Sequence, residues 1–189
     1  MKLGSIVVVG FFLVAAFAPA PQSSDAKERF TALAVSMTNG GTGTVEIVID
    51  RWSTDGQRDS LIKALVGQGQ DKLLDTLRQM PRVGYIRADG GLGYDLHFAS
   101  RTPGEDGGER IVLATDRPIG FWEASNQPRS IDYPFTVIEL RVNDDGEGEG
   151  KLSLATKVTA DKSGRNVTLE NYETQPVLLQ GVKRERASR

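Results

Sequence analysis

The sequence predicts a mainly β domain, an antiparallel β-barrel or a two-sheet sandwich of about ten short strands, with a helical hairpin inserted near residues 54–80. Three observations carry this. Short runs alternate β-branched or apolar residues with polar ones, and the breaks between runs hold Asp, Asn, Gly or Pro. From Tyr133 to Lys183 such runs follow one another closely enough to form a meander. In one interval after residue 53 the apolar period changes from that of a strand to that of a helix.

The chain begins with what reads as a targeting segment. Lys2 gives a short positive start, Ile6–Ala18 is apolar throughout apart from Gly10, and small residues follow. An Ala-x-Ala site at Ala18–Ala20 would put Pro21 directly after the cut, so Ser24–Ala26 is the better cleavage site. Residues 1–26 are therefore expected to be a signal peptide and 27–189 a single β-rich domain. The apolar run is short for a bilayer span of about 20 residues, which makes an uncleaved anchor the weaker alternative. Cleavage leaves 163 of the 189 residues, enough for one domain with one core.

The sequence contains no cysteine, which excludes disulfides, a lipidated lipoprotein cysteine, thiolate metal sites and cysteine nucleophiles. Its 23 basic and 25 acidic residues leave a net charge of −2. The basic residues are scattered, apart from Lys183, Arg184, Arg186 and Arg189 in a terminal tail. Nucleic acid is therefore not an expected partner, nor is a membrane span once the signal is removed.

Each element has its local reason. Glu28–Met37 places Phe30, Ala32 and Ala34 on one side of a strand, and Thr44–Trp52 does the same with Val45, Ile47 and Ile49. Asn39–Gly43 between them supplies the positive φ a hairpin needs, so the two are expected to pair antiparallel. Thr54-x-x-Gln57 is a capping box, and Leu61, Ile62, Leu65 and Val66 follow at helical spacing. Gly67–Gly69 breaks the helix, Leu73, Leu74 and Leu77 resume it, and Pro81 ends it. Further strands are expected at Val83–Ala88, Gly93–Ser100, Arg110–Thr115 and Ile119–Ala124. The closing meander comprises Phe135–Val142, Lys151–Ala160, Asn166–Asn171 and Val177–Val182, with an acidic glycine turn at Asp144–Gly150. In Phe135–Val142, Ile138, Leu140 and Val142 share one side while Phe135 and Val137 lie opposite, as expected if the helices cover one end of the outer face.

Candidate chemistry is sparse. His97, the single histidine, stands two residues from Asp95 on one strand face, about 7 Å away and too far for a direct hydrogen bond. It is read as a solvent-facing residue, with a general base as the alternative. There is no Gly-x-Ser-x-Gly elbow, phosphate loop or lipocalin-type Gly-x-Trp opening. Asp144, Asp145 and Glu147 offer hard oxygen ligands for calcium, but their spacing departs from the EF-hand pattern and equally suits a solubilising hairpin. Trp122, Glu123, Arg129, Asp132 and Tyr133 gather aromatic and polar groups around one long connection, the expected mouth of a small-molecule pocket. Asn166-Val-Thr168 is a glycosylation sequon.

The reading that follows is an exported, soluble ligand-binding or interaction module with no organic cofactor. One alternative is a carboxylate-based hydrolase, lyase or isomerase within a β-barrel. The other is a structural envelope or assembly protein.

Overall fold

A computed structural model of the chain describes residues 27–36, 40–88, 91–104, 107–117, 119, 135–153, 156–161, 167–171 and 176–185. Residues 1–26, 120–134 and 186–189 lie outside them. In chain order the elements are β1 (Glu28–Ser36), β2 (Thr42–Ile49), α1 (Asp55–Gln68), α2 (Gln70–Gln79), β3 (Gly84–Ala88), β4 (Tyr94–Leu96), β5 (Phe98–Pro103), β6 (Glu109–Thr115), β7 (Thr136–Val142), β8 (Glu147–Ser153), β9 (Thr156–Ala160), β10 (Val167–Asn171) and β11 (Val177–Glu185).

The main sheet has nine strands in the order β4-β3-β2-β1-β11-β8-β7-β6-β5, every pair antiparallel. Its two outermost strands, β4 and β5, are successive in the chain and separated only by His97. One bent strand thus borders both β3 and β6, and the His97 N–H donates to the Ala114 carbonyl at 3.0 Å. The sheet therefore curls into a nearly closed barrel, which resolves the choice between barrel and sandwich. The expected single strand over Gly93–Ser100 is instead two, because one partner ends where the other begins.

Alternation decides what faces inward. Phe30, Ala32, Ala34, Val45, Ile47, Ile86, Leu96, Ile111, Leu113, Ile138, Leu140, Leu152 and Leu179 form one buried cluster with their neighbours. This cluster fills the lumen as a core. On the outer side, Leu61, Leu65, Leu73 and Leu77 of the helical hairpin pack on Phe135 and Val158, with Phe98 and Ala114 of the barrel wall beside them. The apolar first half of the outer face leading into β7 is thus covered by helices, as its sequence implied.

The hairpin is built as its residues dictate. Gln57 N–H donates to Thr54 Oγ1 at 3.3 Å, and Thr54 N–H donates to Gln57 Oε1 at 3.0 Å, closing the capping box. Gly67 stays helical, and the break falls at Gly69, whose φ of +80° suits glycine and whose N–H donates to Leu65 O. Ile62 is only half-buried and Val66 is 42% exposed, so the buried stripe is narrower than the spacing suggested.

Two boundaries in the closing meander differ from expectation. The acidic turn is short, Asn143–Gly146, and Glu147–Gly150 belong to β8, paired with β7 and β11 on either side. Two-sided pairing overrides the weak strand preference of glycine. Gly150 also has a packing role, since a methyl there would lie 2.6 Å from Glu139 O and 2.7 Å from Leu140 Cδ2. Lys151–Ala160 is likewise two strands. β8 stays in the barrel, whereas β9 leaves it to pair with β10 as a separate two-stranded sheet beside the helices. Val158 N–H of β9 donates to Gln70 Oε1 at 3.3 Å, tying that sheet to α2. Ile119, expected to open a strand, lies outside any strand, and 120–124 fall outside the described residues.

Candidate functional site

Both ends of the barrel are sealed, which limits where a ligand can meet it. At one end Glu28 and Arg184, from the neighbouring strands β1 and β11, reach Arg101 and Glu109 on the opposite wall, β5 and β6. Arg101 Nη1 lies 3.4 Å from Glu28 Oε1 and 3.8 Å from Glu109 Oε1. Arg184 Nε lies 3.2 Å from Glu28 Oε2, misaligned for a hydrogen bond, while its Nη2 donates to Glu109 Oε2. The Arg184 guanidinium stands 5.2 Å over the ring of buried Phe30, so this ring of alternating charges lies directly on the core. At the other end, Ile119 inserts as a plug, 1% exposed. Thr136 holds it there. Its hydroxyl donates to Arg117 O at 2.9 Å and accepts from Ile119 N–H at 3.2 Å.

His97 sits at the bend where the barrel closes, and its surroundings differ from the sequence reading. Its side chain is only 18% exposed. Nδ1 lies 2.9 Å from Met80 O at the end of α2, and a carbonyl can only accept, so Nδ1 carries a proton. Nε2 faces Asp116 Oδ1 at 3.7 Å, beyond hydrogen-bond length. Asp116, itself 17% exposed, also meets Arg78 Nε of α2 through Oδ2 at 3.5 Å. Asp95, the neighbour in sequence, takes no part, because Arg82 Nε binds it at 2.7 Å. The arrangement joins an imidazole of fixed orientation, a half-buried carboxylate and a guanidinium, set where β6 leads into the connection to β7.

The residues singled out in the sequence fall in two places. Trp122, Glu123, Arg129, Asp132 and Tyr133 all belong to that connection and lie outside the described residues, as does Asn166 of the sequon. Asp144 and Asp145 are exposed on the acidic turn, and Glu147 opens β8, 3.4 Å from Lys183 Nζ. The turn is organised by Asn143, whose Oδ1 accepts from Asp145 N–H at 3.0 Å and from Glu147 N–H at 2.9 Å. Among the described residues no three His, Asp or Glu side chains gather as a metal site.

The outer wall carries ion-pair networks. Glu46 accepts from Arg87 Nη2 and Nε at 2.6 and 2.8 Å and from Tyr85 OH at 3.1 Å, with Arg29 Nη1 at 2.9 Å. Burial pushes its pKa up, but the hydrogen bonds from Arg87 and Tyr85 and the charges of Arg29 and Arg87 together outweigh burial and hold it below the usual value. Glu139 is also held low, chiefly by its bond from Arg110 and next, against burial, by that from Arg141. Two shallow surface grooves accompany these networks. One is lined by Glu139, Arg141, Glu149, Lys151, Leu178 and Gln180, the other by Trp52, Thr54, Arg58, Phe98, Ser100 and Arg101. Among the described residues no helix is long and apolar enough to cross a membrane.

No protein family, curated protein or solved structure matches the chain. Its functional reading rests on its own residues and their geometry.

Proposed function

We propose that the chain is an exported binding or interaction module whose contact surface lies outside the barrel. On this reading the surface is the connection between β6 and β7 together with its base at His97, Asp116 and Arg78. The observation that supports it is the lumen itself, filled with apolar side chains and sealed at one end by four charged residues and at the other by Ile119. A barrel that carries ligand inside keeps a cavity, so contact falls to the exterior. In sequence, the connection joining β6 to β7 carries Trp122, Glu123, Arg129, Asp132 and Tyr133, aromatic and charged residues of the kind that dominate contact surfaces.

Native mass spectrometry of the protein purified gently from an exporting host tests the reading. The expected result is a reproducible mass excess, lost on denaturation and lost in the Trp122→Ala, Tyr133→Ala double variant. A bound species that survives this change and the His97→Gln change would overturn the assigned surface. A protein that stays with the producing cells and keeps residues 1–26 would overturn export.

A further inference from the structure

We propose that His97 is a proton-operated latch that couples the helical hairpin to the seam of the barrel. The inference concerns coupling inside the fold at the base of the proposed contact surface, and its test needs no ligand. The chain holds one histidine and no cysteine, and an imidazole can gain a second ring proton in mild acid. It stands where three elements meet. Its backbone N–H bonds β6 through Ala114 O, Nδ1–H bonds the end of α2 through Met80 O, and Nε2 faces Asp116 at the end of β6.

Among the described residues, the charged groups around it are few. From the end of β6 the facing group is Asp116, whose other oxygen meets Arg78 of α2. On the side of its own strand, Asp95 is engaged by Arg82. When the ring is neutral, Nε2 presents a lone pair to a carboxylate 3.7 Å away, and nothing bonds them. Protonation turns Nε2 into a charged donor aimed at Asp116, while Nδ1–H keeps its bond to Met80 O. Asp116 is then clasped by Arg78 of α2 on one oxygen and by His97 on the other. Acid therefore adds a third tie, from the strand seam to the root of the β6–β7 connection, to the Met80 and Arg78 contacts that persist at neutral pH.

Hydrogen exchange of the full-length protein, read by mass spectrometry at about pH 5.5 and about pH 7.5 and corrected for intrinsic rates, tests this latch. Backbone amides in 73–80 and 113–117 should be protected about threefold more at the lower pH, the size expected of one partly exposed ion pair. His97→Gln and Asp116→Asn should each abolish the difference while melting cooperatively. Equal protection at both pH values in the unaltered protein would overturn the latch, whatever the variants do. So would a pH difference that persists in His97→Gln, since it would come from another group.

Discussion

Thr115 and Thr136 face each other across the β6–β7 ladder, both 0% exposed, and the same substitution should have opposite effects at the two positions. Thr115 Oγ1 is buried without a hydrogen-bond partner. Valine has almost the same shape, so Thr115→Val removes a dehydrated hydroxyl without opening a cavity, and a gain of about 1 kcal/mol is expected. Thr136→Val loses the hydroxyl's bonds to Arg117 O and Ile119 N–H and leaves a buried amide unpaired. That costs about 2 kcal/mol, part of it from looser seating of the Ile119 plug. At roughly 2–4 °C per kcal/mol for a domain of this size, Thr115→Val should melt a few degrees above the parent and Thr136→Val several degrees below it. Urea unfolding followed by the fluorescence of the two tryptophans gives both free energies. If Thr115→Val destabilises by about 1 kcal/mol or more, the hydroxyl has a partner and the reasoning fails.

Other expectations follow from the charge networks and the helical cover. Glu46 and Glu139 both have folded pKa values below their ordinary 4.5, so their contribution is complete above that pH and is lost as pH falls through the lower folded values. Urea midpoints should drop as pH falls below about 4.5, and Glu46→Gln with Glu139→Gln should flatten that drop; an unchanged acid profile in the double variant would contradict the assignment. Arg184→Met leaves Glu28 and Glu109 sharing Arg101 alone at the sealed end. A loss of about 1–2 kcal/mol is expected because the groups are partly exposed, and added salt should narrow the gap to the parent by weakening the parent's ion pairs. Leu77→Ala, at a site 2% exposed between helix and barrel, should cost about 3 kcal/mol, against less than about 0.5 for Val66→Ala on the open side. Equal effects would mean the hairpin is docked on a different face.

The fold was legible where burial is one-sided. Phe30, Ala32 and Ala34 of β1 alternate with more exposed residues, and such period-two burial marks a strand whatever its partners; β2 starts the same way at Val45 and Ile47, but Val48 is buried as well. The capping box at Thr54 and Gln57 was legible for the same reason, since its hydrogen bonds span three residues. Glu147–Gly150 was not. Glycine and acid together read as a turn, and only strands on both sides, with Leu140 and Leu179 needing room beside Gly150, make the segment part of the wall. Barrel closure was hidden as well, because it depends on one strand bending at His97 and changing partners there.

The site repeats that contrast at the level of single side chains. Proximity in sequence pointed from His97 to Asp95, yet the strand holds these two apart and Arg82, also tied to Asp50 at 3.1 Å, claims Asp95 first. The true neighbours of His97 come from two other segments, Met80 at the end of α2 and Asp116 beyond β6, with Arg78 of α2 on the far oxygen of Asp116. No local pattern brings them together. What the sequence did offer was a count: a chain with one histidine has placed it at its seam, against a carbonyl and a carboxylate that an arginine also holds. An exposed strand histidine would need none of these contacts, and glutamine in its place would change little. If His97→Gln leaves the coupling of hairpin to barrel untouched at every pH, the position is ordinary. If the coupling loses its pH dependence, the placement of the single histidine at the barrel's closure has a mechanical consequence.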